Sequence, residues 1–279
     1  MSQGEGQGEG QGEMQGDESQ SRLLVVEKRY NIQTQTTQTL AGDDADALQF
    51  VVRTIGVREI LPHIFTWPCS LVLAAFLSSQ PTVVRDKVVV ELGSGTAVPS
   101  VVASLSGARL VLATERDDAT MQSNLSHCLA LNPEAQTVRA CALDWYLPTA
   151  TAALLSTLPS PARVDVILAS DVLYSSEDFF PLMSVVAQLL GPAETEGQSG
   201  HAGVCYMTYQ ERSNSRTLVP HLDAFQLRAE AIPLSSFLHS AHSLGVIAVV
   251  TRDEGRRRRA EQRLPTFDDI HLLKITRRV

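Results

Sequence analysis

From residue 87 onward the chain alternates short apolar runs with longer stretches in which apolar residues recur at helical spacing. Lys87-Val-Val-Val-Glu91, Arg109-Leu-Val-Leu-Ala-Thr-Glu115, Val138-Arg-Ala-Cys-Ala-Leu143, Val164-Asp-Val-Ile-Leu-Ala-Ser170 and Ala202-Gly-Val-Cys-Tyr-Met-Thr-Tyr209 are predicted strands. Between them, Val98 to Leu105, Asp118 to Leu131 and Glu177 to Leu190 are predicted helices, with Gly107 and Asn132-Pro133 as stop signals. An earlier helix is predicted to open at Trp67. Pro68 suits its first turn, and Leu71, Val72, Ala75 and Phe76 recur on one face before Pro81 ends it. Gly245 to Thr251 and Ile270 to Thr276 are expected to close the sheet. Apolar strands alternating with helices imply an α/β fold, a doubly wound and mostly parallel sheet covered on both faces.

The flanking sequence divides differently. Residues 1–20 repeat Gly, Gln and Glu and have too little apolar surface to offset their ordering entropy, so a disordered tail is expected. Residues 21–62 hold two strand-like runs, Arg22 to Tyr30 and Ala47 to Arg53, which predict a strand pair or extension. Residues 63–279 form the α/β domain. Gly191 to Ala202 is expected to be a flexible loop. Arg252 to Ala260, with four consecutive arginines at 256–259, is either a solvated loop, a contact for an acidic partner or an import signal.

Composition narrows the classes. A net charge of −8 argues against a general nucleic-acid binder and suits an enzyme acting on a basic partner. The four cysteines, Cys69, Cys128, Cys141 and Cys205, are widely spaced and show no metal-ligand pattern, so free thiols in a reducing compartment are expected. The seven histidines are scattered, and no metal site is expected. The acidic N-terminus is unlike a signal peptide, and the apolar runs are too short to span a membrane. A soluble intracellular protein is the expectation.

The chemistry concentrates at one turn. The strand ending in Glu91 runs directly into Gly93-Ser94-Gly95 and then into a helix. In doubly wound sheets ligands bind beyond the carboxyl ends of the strands, where glycines admit close backbone approach. An acid at the end of a buried strand requires a cationic ligand group or backbone donors to offset its desolvation. Glu115 ends the next strand about 20 residues on, where such folds place a carboxylate that accepts from ribose hydroxyls. Val98 and Pro99 stand where a dinucleotide site would have further glycines, which favours a ligand without a pyrophosphate. There is no nucleophile elbow and no phosphate-binding Gly-x-x-x-x-Gly-Lys.

Four motifs then occur in order: Trp67-Pro68-Cys69, Glu91-Leu-Gly-Ser-Gly95 with Pro99, Leu143-Asp-Trp145, and Ala169-Ser-Asp-Val-Leu-Tyr174. Ser170-Asp-Val-Leu-Tyr-x-x-Glu-Asp-Phe179, Thr208-Tyr-Gln-Glu-Arg-Ser213 and Ile232-Pro-Leu-Ser-Ser-Phe237 add to the set. Together, over roughly His63 to Arg278, the chain resembles methyltransferase family 16, the lysine-methyltransferase-related group of seven-strand protein methyltransferases. The resemblance implies a Rossmann-like S-adenosylmethionine-dependent methyltransferase fold, with S-adenosyl-L-methionine as cofactor and a protein substrate. It implies that Glu91, Gly93, Ser94 and Gly95 line the methionine part of the cofactor, and that Glu115 holds the ribose. Asp144 and Trp145 would border the adenine, Trp67 the amino-acid end, and Ser170, Asp171 and Tyr174 the wall beside the sulfonium. Ala97 departs from the pattern, standing where many members have glycine.

The expected catalytic residues are Asp171, Tyr174 and Tyr209. A carboxylate at position 171 can orient a cationic acceptor; the alternative is a helix cap or turn carboxylate. Tyr174 either makes a hydrogen bond or packs, and Tyr209 either walls the acceptor channel or belongs to the core. Glu211 and Arg212 either contact substrate or form a solvated loop. The resemblance implies arginine, including histone arginine, as acceptor. Lysine on a non-histone protein and a cofactor-binding interaction module with little turnover are the alternatives. A monomer without direct nucleic-acid or membrane contact, in cytoplasm and nucleus, completes the expectation.

Overall fold

A computed structural model describes residues 24–32, 48–56, 66–160, 163–192, 203–212, 216–238, 244–245, 249–250 and 269–278. The N-terminal repeats and the arginine-rich tract at 256–259 lie outside them, as does most of the Gly191 to Ala202 stretch.

The main sheet has seven strands, in the order β5-β4-β3-β6-β7-β11-β8. These are β3 (Val88–Leu92), β4 (Leu110–Glu115), β5 (Val138–Ala142), β6 (Val166–Ser170), β7 (Val204–Gln210), β8 (Leu227–Ile232) and β11 (Ile270–Arg277). β3 lies between β4 and β6, parallel to both, with Val90 opposite Leu112 on one side and Ile167 on the other. β11 is antiparallel to β7 and β8. Every residue of β3 is buried, as expected of a central strand covered on both faces.

Alternation along the strands divides the core. Val89, Val111, Val166 and Leu168 pack with α1 (Pro68–Ser79) and α2 (Val98–Leu105). Val88, Val90, Leu112 and Ile167 point the other way, against α4 (Ala150–Ser156), α5 (Phe179–Leu190) and α6 (Val219–Ala224). α3 (Ala119–Ala130) begins where Asp118 accepts hydrogen bonds from the backbone N–H groups of Thr120 and Met121, at 3.0 and 3.1 Å, the usual N-cap arrangement. At the far end of α5, Arg277 donates to the carbonyls of Ala187, Gly191 and Phe225 at 2.6, 2.8 and 2.7 Å. These bonds satisfy helix-terminal acceptors that would otherwise be orphaned.

Three elements depart from the sequence-based expectation. The described residues of the Gly245–Thr251 stretch do not join the main sheet. Its short strands β9 (Leu244–Gly245) and β10 (Val249–Val250) pair with β1 (Leu24–Ile32), which is antiparallel to β2 (Leu48–Gly56) in a separate sheet. The seventh strand is β8, at the sheet edge, where Arg228, Glu230 and Ala231 are exposed and Leu227 is buried. The predicted Glu177–Leu190 helix splits into a 3₁₀ turn at Ser176–Asp178 and α5 from Phe179. Pro181 therefore falls in the first turn of α5, where its missing N–H has no helical partner to lose.

Candidate active site

The carboxyl ends of β3, β4, β5 and β6 open into a cavity of about 470 Å³. Its walls come from the loops after each strand and from the start of α1. Of the residues singled out in the sequence, Trp67, Gly93, Ser94, Gly95, Glu115, Asp144, Trp145, Ser170, Asp171 and Tyr174 all line it. Residues separated by more than a hundred positions thus meet because parallel strands present their carboxyl ends along one edge.

The glycine turn is shaped by backbone conformation. Gly93 has φ +63°, and a Cβ there would come within 2.9 Å of Val172 Cγ1, so both the conformation and the space exclude a side chain. Gly95 also has positive φ, and its N–H donates to Glu115 Oε1 at 3.1 Å. Ala97, the departure noted above, adopts φ 57° all the same as the N-cap residue of α2. Its left-handed backbone costs about 1 kcal/mol that glycine would not incur.

Glu91 is placed differently from the sequence expectation. It does not line the cavity but lies fully buried behind the turn. Its Oε2 accepts from the Ser100 backbone N–H at 2.9 Å and the Ser100 hydroxyl at 2.5 Å, while Oε1 has no hydrogen-bond partner among the described residues. Burial raises its pKa to about 8, against the lowering effect of the Ser100 bonds. Glu115 does face the cavity. Its Oε1 and Oε2 accept from the N–H groups of Gly95 and Arg116, and lone pairs remain for hydroxyl donors.

At the opposite wall, Asp171 is almost fully buried and has φ 56°. A non-glycine residue in this region stores strain and persists where surrounding contacts enforce it. No helix is capped by it. Instead its Oδ2 accepts from Arg212 Nη2 at 2.6 Å, while Oδ1 is buried without a hydrogen-bond partner. The Arg212 guanidinium carbon lies 5.7 Å from the Trp67 ring centroid, within cation–π range. Burial first, and then the Asp171 charge, keep the Cys69 thiol protonated well above its usual range.

Tyr174 lies at the mouth of the cavity, about half exposed, and burial raises its pKa. Tyr209 does not line this cavity. It stacks on His271, with ring centroids 5.1 Å apart, and borders a neighbouring recess. Across the mouth, the Tyr146 hydroxyl donates to Asp178 Oδ1 at 2.6 Å. The sequence expectation missed Tyr146, Asp178, Ser70 and Met121 as wall residues. It left Arg212 open, and only the position of Asp171 beside it gives that arginine a place in the site. The four cysteines are free thiols. No metal-binding cluster occurs among the described residues, and no described helix is long and apolar enough to cross a membrane.

This cavity suits an adenosyl sulfonium. Carboxylates of Glu115, Asp144, Asp171 and Asp178 outnumber the cations Arg116 and Arg212, and Met121, Leu143 and Trp145 supply apolar wall. The unpartnered Glu91 Oε1 lies immediately behind the turn. A sheet in this order with such a site is that of an S-adenosylmethionine-dependent methyltransferase, and the family and relatives it matches make the acceptor a protein. The profile of the family described as lysine methyltransferase matches residues 58–219, and the chain belongs to that family. A rat relative named histone-arginine methyltransferase METTL23 is 30% identical over 205 residues, covering 70% of this chain and 81% of its own. The human protein of the same name is 27% identical, covering 62% of this chain and 84% of its own. A Cryptococcus neoformans relative named protein N-terminal and lysine N-methyltransferase EFM7 is 25% identical, covering 52% of this chain and 49% of its own.

Proposed function

We propose that this methyltransferase acts on an arginine side chain of a protein, histones included, and works in cytoplasm and nucleus. One observation carries the reading. Asp171 and Trp67 already hold a guanidinium, that of Arg212, by a 2.6 Å charged hydrogen bond and an aromatic face. The same pair of groups suits an incoming planar cation. The relatives named histone-arginine methyltransferase support this choice.

S-adenosylmethionine supplies a methyl group activated on sulfonium, so the protein contributes placement and electrostatics. Glu115 would take the ribose hydroxyls with its remaining lone pairs, and Trp145 and Leu143 would wall the adenine. The glycine turn would let the backbone approach the amino-acid part, with Glu91 behind it. Asp171 would localise the acceptor's positive charge on the side away from the attacking nitrogen. The carboxylate is buried, so its field is weakly screened. Tyr174 would border the acceptor and limit water at the mouth.

Lysine is the second reading. The family description favours it, and an ammonium is a point charge that the one Asp171 oxygen now bonded to Arg212 could orient. The test is incubation with labelled cofactor and cell extract, followed by mass spectrometry of the labelled residue. Methylarginine supports the proposal, methyllysine replaces it with the second reading, and label on neither overturns both.

A further inference from the structure

Beside the cofactor cavity lies a second recess of about 450 Å³. Its floor is apolar, with Leu173, Phe179, Leu222 and Leu273, and its rim carries Arg212, Arg216, Arg228 and Arg278 against one acid, Glu211. In a chain of net charge −8 this is a local reversal of sign. Arg278 is paired with Asp223, and Glu211 faces His271. Arg216 donates to the Tyr174 carbonyl and Arg228 to the Thr276 hydroxyl. Neither forms an ion pair with a carboxylate among the described residues.

Arg212 is common to both cavities. In the first it occupies Oδ2 of Asp171, and the other carboxylate oxygen is buried. A cationic acceptor therefore reaches Asp171 by taking the place of Arg212. The displaced guanidinium then needs an anion, because an unpaired charge in a partly desolvated site is costly. We propose that the second recess binds an acidic segment of the substrate protein, whose carboxylate joins Arg216 and Arg228 and draws Arg212 off Asp171, opening that carboxylate to the acceptor.

The inference rests on Asp171 as the acceptor-facing carboxylate and adds a recognition rule: the methylated residue has aspartate or glutamate close by. A protein segment is favoured over nucleic acid because the recess is compact with an apolar floor, and the rest of the chain is acidic. Long-range attraction of a polyanion is correspondingly weak.

The probe is a hexaglutamate peptide titrated into the full chain at low salt, with a hexalysine peptide and a hexauridylate in parallel. The wild type is expected to bind hexaglutamate in a salt-sensitive way and to ignore hexalysine. An R216Q/R228Q variant is expected to bind it about tenfold or more weakly, and R228K to retain most of the affinity. S-adenosylhomocysteine affinity and the thermal midpoint, measured on the same samples, report whether the fold and the cofactor site are intact. Equal hexaglutamate affinity in wild type and R216Q/R228Q, or none in the wild type, overturns the proposal. So does hexauridylate bound more tightly than hexaglutamate and lost in the double variant, which would make the recess a nucleic-acid contact. None of these outcomes depends on whether the acceptor is arginine or lysine, so the two ideas fail separately.

Discussion

Replacing Glu91 with glutamine is expected to make the ligand-free protein more stable, and increasingly so as pH rises. In the folded chain burial holds the Glu91 carboxyl protonated up to about pH 8, against an ordinary value of 4.5. Between these limits the folded state binds more protons than the unfolded state, so stability falls as pH rises through the window. The full contribution is present below the lower limit and is gone above the upper one. The gap of about 3.5 between the two values, at 1.36 kcal/mol for each pH unit, sets a ceiling of about 5 kcal/mol at pH 8 and above, and relaxation around a buried charge reduces this to about 2–4 kcal/mol. Glutamine keeps the shape and an acceptor for Ser100 but does not titrate. The variant should match the wild type near pH 5 and exceed it at pH 8 by about 5–15 °C in midpoint. Glu91 is already neutral below about pH 8, so S-adenosylhomocysteine affinity should change by less than about threefold at pH 7, with any larger loss confined to higher pH, where the wild-type carboxylate ionises. Unfolding of both proteins between pH 5 and 9, with calorimetric titration of the ligand, measures both effects. Stability curves that run parallel across the range would refute the reasoning, because they would show that Glu91 does not titrate in that window.

Asp171→Asn keeps a residue type that tolerates the left-handed backbone, and should lower methyl incorporation about a hundredfold. Its stability cost should be only about 1–2 kcal/mol, because Arg212 is partly exposed and its pairing is screened; a large midpoint drop with near-normal turnover would make the carboxylate structural. Gly93→Ala places a Cβ against Val172 at positive φ and should cost about 1–3 kcal/mol of stability, with weakened S-adenosylhomocysteine binding seen by titration. Ala97→Gly should leave stability within about 1 kcal/mol of wild type in urea unfolding, since relief of backbone strain is set against unfolded-state entropy and lost Cβ packing on Ala113 and Leu125.

Much of the fold was legible because central parallel strands are apolar throughout and bounded by recognisable signals. β3, β4 and β6 were found within two residues of their ends, and α2 at its limits. β8 escaped because an edge strand half-exposed to solvent carries Arg228 and Glu230, and its six residues resemble a polar connection. Gly245 to Thr251 misled for the opposite reason. An apolar, β-branched run specifies a strand but not which sheet it joins, and that choice belongs to the long-range pairing with β1.

At the site the division follows the same physics. The sequence by itself determined the strand–glycine–helix turn, the acids ending β3 and β4 and the residues ending β6, because each is a local pattern with a local cause. It could not tell that Glu91 points behind the turn while Glu115 faces the cavity, since Glu91 is held by Ser100 on the next helix and Glu115 by Gly95 across the strands. Nor could it join Arg212 to Asp171, 41 residues away, over the ring of Trp67. Those pairings exist only once β6 and β7 lie side by side and α1 closes over their ends. Periodicity reports how each segment buries its own surface, whereas the direction and partner of a buried charge are fixed by groups that the folded chain brings from elsewhere.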